Sequence, residues 1–458
     1  MRAEMLHEEL GEGFFAKVKA ADFNSLILRY RNQDAAQTIS LDTLDDQEWC
    51  AYFGRFEPFP NSFKSPLALS YHGHQFGSYN PDIGDGRGFL YAQIREQGSN
   101  RLLDLGTKGS GKTPYSRSGD GRLTLKGAVR EILASEYLQA VGVNSSKSLS
   151  VFETGEALHR HDEPSPARGA VLVRLSHSHI RIGSFQRLAY LNQHQDILKL
   201  AKFVIRNYYP QIEQQQPPEE LFQQLLASFI QLVADMVAGW MAAGFVHGVL
   251  NTDNFNLTGE SFDYGPWRFL EQMDFEFTAA YFDHNRRYAY GKQPEAALWA
   301  LCRLADCFTE FVPLEKLEKE LQKFYPTLQK LLFEKICWRF GIIASPKLHQ
   351  DEFLSLFFSC TTKSQINLDY LFHTFYAGFD QTQIGAENEE ILPFLKIIES
   401  QKARQNKRPD YFDQPLQSTL TIKEVEAVWE PISQADDWTL CYEKIQAIKN
   451  YRTALNAN

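Results

Sequence analysis

The most apolar window of the chain, Leu225 to Val249, runs directly into a polar loop, HGVLNTDNFNLTGESFDYGP, at residues 247–266. Gln231 and Asp235 interrupt the window, so it reads as a buried helix and not as a membrane span. A core helix that delivers Asn, Asp and Gly residues at its C-terminal end fixes a polar loop against a rigid element. Upstream, residues 62–122 carry two glycine-rich turn clusters, YHGHQFGSYNPDIGDGRG and GTKGSGKTPYSRSGDGR. Apolar runs at Phe89–Ile94, Leu102–Leu105, Ser148–Phe152 and Ala170–Leu175 read as strands. A helix is expected from about Leu123 to Val141, stopped by Gly142. Further helices are expected over 189–207, Leu221–Ala243, Pro294–Phe308 and Leu314–Phe340, with a polar break at 208–220. A β-rich part followed by an α-rich part suits a ligand cleft at their junction.

The polar loop has the spacing of a metal-phosphate site. Protein kinases use H-R-D-x-x-x-x-N followed by D-F-G. Here His247, Gly248 and Val249 take the first three places, Asn254 takes the Asn place, and Asp263-Tyr264-Gly265 takes the D-F-G place. Asn254 and Asp263 offer hard oxygen donors suited to Mg²⁺ or Mn²⁺. Valine cannot accept a proton, so the usual kinase base is missing, and Asp253 is the neighbouring carboxylate able to act on an incoming hydroxyl. Asn, Asp and Gly also favour ordinary surface turns. It is the combined spacing after a long apolar helix that favours a site.

Kinases further need a strand lysine and a helix glutamate that holds it. Lys108 follows the Leu102–Leu105 run, and Glu131 lies on a helix face of small and apolar residues, where a carboxylate needs a cationic partner. Gly106 to Thr113 also satisfies G-x-x-x-x-G-K-[ST]. The turn-rich PYSRSGDG that follows leaves little room for the helix a P-loop must open, so Lys112 is not expected to bind phosphate. Two G-D-G-R segments, 84–87 and 119–122, combine close backbone approach with forked donors. His72 and His74 have no third ligand nearby, so hydrogen bonding is expected of them rather than metal binding.

The strings H-G-H-Q-F-G at 72–77, G-D-G-R at 84–87, T-P-Y-S-R at 113–117, G-D-G-R at 119–122, R-E-x-L-x-S-E at 130–136, S-H-I-R-x-G-S-F at 178–185 and H-G-V-L-N-T-D-N with D-Y-G-P at 247–266 carry a resemblance. Over about residues 60–300 the chain resembles the selenoprotein O family, pseudokinase-fold adenylyltransferases. The resemblance implies an α+β, protein-kinase-like two-lobed fold. Its β-rich N-lobe would cover 1–187, its α-rich C-lobe 188–380, and a helical C-terminal extension 381–458. It implies ATP bound in a flipped pose that offers the α-phosphate to a protein Ser, Thr or Tyr hydroxyl, with Mg²⁺ or Mn²⁺. By that resemblance Lys108 contacts phosphate and pairs with Glu131. Gly84, Gly86, Arg87, Asp120 and Gly121 line the nucleotide site, and Arg174 and Arg181 hold the far phosphates. Asp253 accepts the proton, while Asn254 and Asp263 bind metal. A protein kinase, a nucleotide-binding pseudokinase scaffold and a UMP transferase using Mn²⁺ are the alternatives.

The net charge of −10 argues against nucleic acid or an anionic membrane as partner. The six cysteines form no C-x-x-C pair, which suits reduced thiols in the cytoplasm. The N-terminus lacks the apolar segment of a signal peptide. Family members often end in a redox-active selenocysteine or cysteine pair. The last cysteine here is Cys441, so redox gating through such a tail is not expected.

Overall fold

Short apolar runs separated by turn residues build one large antiparallel sheet in the first part of the chain. In the computed structural model, which describes residues 3–160, 163–378 and 386–457, the strands are β1 (Ala3–Glu4), β2 (Phe15–Lys17), β3 (Ile27–Arg31), β4 (Leu67–Leu69), β5 (Gly73–Gln75), β6 (Ser78–Asn80), β7 (Leu90–Arg95), β8 (Leu102–Lys108), β9 (Leu123–Thr124), β10 (Lys147–Leu158) and β11 (Ala167–Ser176). Nine of them form the sheet, in the order β2-β4-β7-β8-β11-β10-β3, with β1 beside β7 and β9 beside β11. β5 and β6 form a separate hairpin. The register sets Leu172 opposite Lys108 and Arg174 opposite Gly106, so the end of β8 and the middle of β11 supply cations to the same neighbourhood.

Strand alternation gives the sheet two apolar faces. Val171, Val173 and Leu175 point to one side, where α1 (Gln33–Thr38) and α2 (Asp46–Phe53) pack. Ala170 and Leu172 point to the other, where α3 (Leu125–Ala140) packs. Thr124 caps α3 by accepting from the Gly127 amide, and the helix ends before Gly142 at φ 78°.

The rest of the chain is mainly helical: α4 (Ile182–Tyr190), α5 (His194–Tyr208), α6 (Pro218–Ala243), α7 (Gln293–Asp306), α8 (Leu314–Leu321), α9 (Phe324–Arg339), α10 (Gln350–Ser364), α11 (Leu368–Thr374), α12 (Leu392–Glu399), α13 (Ile422–Ala435) and α14 (Thr439–Asn456). α6 begins with proline at its first position and stops at Gly244, φ 64°. It is long and apolar enough to cross a bilayer, yet 72% of its most apolar window is buried inside the protein. α13 and α14 return to pack on α3. Ion pairs tie this return to the sheet side: Lys126 to Glu426 at 2.7 Å, and Arg29 and Arg168 to Asp436 at 2.9 and 2.6 Å.

The strand runs and the helices near 123–141, 221–243 and 294–308 lie where the sequence places them. Two expected helices are each divided. Residues 189–207 fall on α4 and α5, separated at Leu191–Gln193, where Asn192 adopts φ 56°. The Leu314–Phe340 stretch divides into α8 and α9 at Gln322–Lys323. The first turn has no glycine or proline to announce it; the second falls just before Pro326, which cannot donate to the Gln322 carbonyl and so sits in the first turn of a new helix.

Candidate active site

Two glycine-rich loops are stitched into one wall. Thr113 Oγ1 donates to the Asp85 carbonyl at 2.6 Å, and Ser116 Oγ donates to the Gly86 carbonyl at 2.5 Å. Close approach is obligatory: a Cβ on Gly84 would lie 2.5 Å from the Tyr115 ring, and one on Gly121 would lie 2.3 Å from the Gly111 carbonyl. Gly121 also sits at φ 71°, where glycine is favoured. Gly84, Gly86, Arg87, Asp120 and Gly121 line a cleft of about 800 Å³. Asp120 stands at its rim, 2.7 Å from Arg160.

The opposite wall is charged. Lys108, the last residue of β8, is buried and hydrogen-bonds through Nζ to Glu131 of α3. The same Nζ lies 2.7 Å from Asp263 Oδ1, which Arg174 approaches at 3.4 Å. Burial alone would raise the Asp263 carboxyl; Lys108, Arg174, Arg87 and Arg181 outweigh it and hold it well below the usual carboxylate range. Arg181 is sandwiched between the rings of Tyr71 and Phe262, 4.7 and 4.9 Å from their centres. It reaches Asp85 at 3.3 Å and donates to the Asp253 carbonyl at 2.8 Å. Lys108, Arg174, Arg181, Asp253 and Asp263 all line the cleft. Glu131 stands behind Lys108, and Asn254 lies buried within its loop; neither lines the cleft.

The loop from His247 to Trp267 is clamped at its base by β12 (Phe245–Val246) pairing with β13 (Arg268–Phe269). His247 Nε2 donates to the Phe262 carbonyl at 2.9 Å, and burial lowers its basicity despite that bond, so a neutral ring holds the two halves of the loop together. The Asn254 amide donates to the Val249 carbonyl at 2.9 Å, which leaves Asn254 Oδ1 buried with no protein partner. Asp253 Oδ1 is buried and unpartnered too. Burial raises the Asp253 carboxyl to about 6, with Arg181 pulling it down and Asp263 pushing it up. Asp253 Oδ1, whose carboxyl feels the Asp263 charge, and the buried Asn254 Oδ1 are hard oxygen donors of the kind a divalent cation takes.

The β5–β6 hairpin, made from H-G-H-Q-F-G, explains why that string belongs to the site. The His74 amide donates to Thr252 Oγ1 at 2.8 Å, and the Phe76 amide donates to Asn251 Oδ1 at 3.0 Å. The two histidines make hydrogen bonds, His72 with Tyr79 at 2.9 Å and His74 with Gln186 at 2.7 Å. No helix opens after Gly106–Thr113: a loop runs from Gly109 to Arg122, and Lys112 is exposed and is not among the residues that line the cleft. Sequence reasoning passed over Asp85, Asn251 and Thr252. Asp85 lay inside a G-D-G-R string whose glycines and arginine drew the interest, and Asn251 and Thr252 lay inside H-G-V-L-N-T-D-N, where the following Asp253 and Asn254 drew it. All six cysteines are free thiols, Cys50 and Cys302 partly exposed and the others buried.

Residues 2–449 match the family described as protein adenylyltransferase SelO. Similar chains include the protein nucleotidyltransferase YdiU of Trichormus variabilis, 39% identical over 97% of this chain and 94% of that one. The protein of the same name from Synechocystis is 39% identical over 97% of each chain. That of Gloeobacter violaceus is 40% identical over 96% of this chain and 93% of its own.

Proposed function

The chain belongs to the SelO family of protein adenylyltransferases, and from that premise we propose that it transfers AMP from ATP to Ser, Thr or Tyr hydroxyls of acceptor proteins, releasing pyrophosphate. Its nucleotidyltransferase class follows from the family. The acceptor type, the metal and the residue roles are the proposal.

The observation that carries it is the Lys108 ammonium held between Glu131 and Asp263, in a cleft that Arg174 and Arg181 also line. A polyphosphate entering this cleft meets preset cations, so charge neutralisation requires little reorganisation. Lys108 contacts phosphate, with Glu131 fixing its position. Arg87, Arg174 and Arg181 bind the remaining phosphate oxygens, and Gly84, Gly86 and Gly121 let the backbone come close, with Asp120 at the rim. Asn254 and Asp263 would hold Mg²⁺ or Mn²⁺, which supplies charge neutralisation on the phosphates when bound.

The acceptor hydroxyl oxygen forms a bond to the α-phosphorus while the bond from that phosphorus to the α,β-bridging oxygen breaks. Pyrophosphate leaves with the electron pair, and Asp253 takes the hydroxyl proton. Its raised affinity for protons suits that task better than a fully solvated aspartate. The order of sheet then helices supports a protein-kinase-like two-lobed arrangement, with an N-lobe over 1–187, a C-lobe over 188–380 and an extension over 381–458. Free thiols and the absence of any disulfide among the described residues agree with a cytoplasmic setting.

Incubation with ATP labelled at the α- or the γ-phosphate, with Mg²⁺ or Mn²⁺, tests the reading. Label on protein from the α-position supports it. Label from the γ-position alone identifies a kinase, ATP binding without label a scaffold, and preferential transfer from α-labelled UTP a UMP transferase.

A further inference from the structure

A second cavity, of about 560 Å³, adjoins the cleft and shares a wall with it. Gln75 and Tyr281 line the cleft, while their chain neighbours Phe76 and Phe282 line the second cavity. The wall is bolted to the catalytic loop through Asn251, whose Oδ1 accepts from the Phe76 amide and from the Tyr288 hydroxyl, each at 3.0 Å. Asn251 is two residues from Asp253, the proposed proton acceptor.

The surface of this groove is unlike that of an ordinary solvated loop. Phe76, Tyr281 and Phe282 are 37%, 76% and 43% exposed, and they form one aromatic run, with ring centres 5.8 Å apart for Phe76–Phe282 and 5.1 Å for Tyr281–Phe282. Clustered exposed aromatics mark binding surfaces rather than random apolar exposure. Trp299 forms part of the floor, with the Arg287 guanidinium 4.8 Å from its ring centre. Among the described residues neither Arg287 nor Lys292 forms an ion pair. The lining Asp283 is already engaged, since its two oxygens accept from the Arg287 and Tyr288 amides at 2.9 and 2.8 Å. Glu295 is the remaining carboxylate of the lining. The two cations and two carboxylates of the lining balance, but Asp283 is buried against backbone amides and Glu295 is exposed to solvent, so the Arg287 guanidinium beside the aromatic rings is the local partner for an incoming carboxylate.

We propose that this groove seats the acceptor protein, taking an extended segment that carries a large apolar or aromatic residue and an acidic residue near the modified hydroxyl. The apolar side chain packs among Phe76, Phe282 and Trp299, and the carboxylate pairs with Arg287. The inference rests on the adenylyl-transfer reading and deepens it by naming the acceptor's chemistry. Continuity of the wall places the seated segment beside Asp253, and the Arg287 guanidinium, which has no ion pair among the described residues, selects its sign.

The test is a set of synthetic peptides with one central Ser, Thr or Tyr, flanked by Phe or Ala and by Glu or Lys, incubated with α-labelled ATP and the full chain. The wild type is expected to label Phe-and-Glu peptides with a KM about tenfold or more below that for Ala-and-Lys peptides. Arg287→Glu should reverse the Glu-over-Lys preference with kcat and the ATP-induced thermal shift retained. Arg287→Lys should keep the preference, and Phe282→Ala should erase the Phe preference. Labelling of all peptides with equal KM, or an unchanged preference in Arg287→Glu, overturns the groove and leaves adenylyl transfer standing. If no peptide takes α-label while ATP still shifts the melting, the transfer reading itself fails and the groove with it.

Discussion

Asp263 Oδ1 lies 2.7 Å from Lys108 Nζ, and Asp263 holds a backbone φ of 63° to reach it. A non-glycine residue in the left-handed region is uncommon, and such strain persists where the surroundings over-determine it. Here those surroundings are Lys108, Arg174 and the clamped loop that ends at β13.

Lys108→Met is expected to lower AMP transfer by at least about 100-fold, as loss of a preorganised charge on developing phosphate negative charge does. Lys112→Ala, which alters an exposed residue outside the cleft, should retain wild-type transfer. Incorporation of α-label into protein, run side by side for both variants, checks the pair. Equal losses in both would return the G-x-x-x-x-G-K-T string to consideration.

Glu260 provides a pH test away from the cleft. Burial raises its carboxyl from an ordinary 4.5 to about 7, although the His177 amide donates to it at 2.6 Å. Across that window the folded chain keeps a proton that the unfolded chain has released. Stability therefore falls as pH rises from 4.5 to about 7 and is level above it, by on the order of 3 kcal/mol for this group. Glu260→Gln should remove this part of the slope, so that the variant gains on the wild type in urea midpoint at about pH 8 but not at about pH 4.

Asp369→Ala should cost about 3–5 kcal/mol, because it strands a buried cation. Arg339 is fully buried, reaching Asp369 at 3.2 Å, the Ala242 carbonyl at 3.0 Å and the Tyr451 hydroxyl at 3.1 Å. Asp369 also accepts from Tyr137 of α3. Thermal unfolding is the measurement, and a double variant Asp369→Ala with Arg339→Met should recover much of the loss.

What could be read in advance was local. Lys108, Glu131, Asn254 and Asp263 stand at spacings that a template in one dimension can recognise, and the apolar runs of β7, β8 and β11 announce themselves by composition. The hidden parts are those that arise by convergence. β2 and β3 are short strands with charged residues among their few apolar ones, and they exist because β4 and β10 pair with them. Asp85 acquires its meaning only when Arg181 arrives from 96 residues further on. The turn at Asn192 is invisible because no glycine marks it.

α3, which carries Glu131, packs on β10 and β11 and also on α13 and α14. Tyr137 of the same helix donates to Asp369, which Arg339 also holds, and Arg339 in turn reaches Tyr451 of α14. The helix that holds the lysine through Glu131 is thus supported jointly by the sheet and by a helical pair distant in sequence, so that damage to that pair reaches the cleft without touching it.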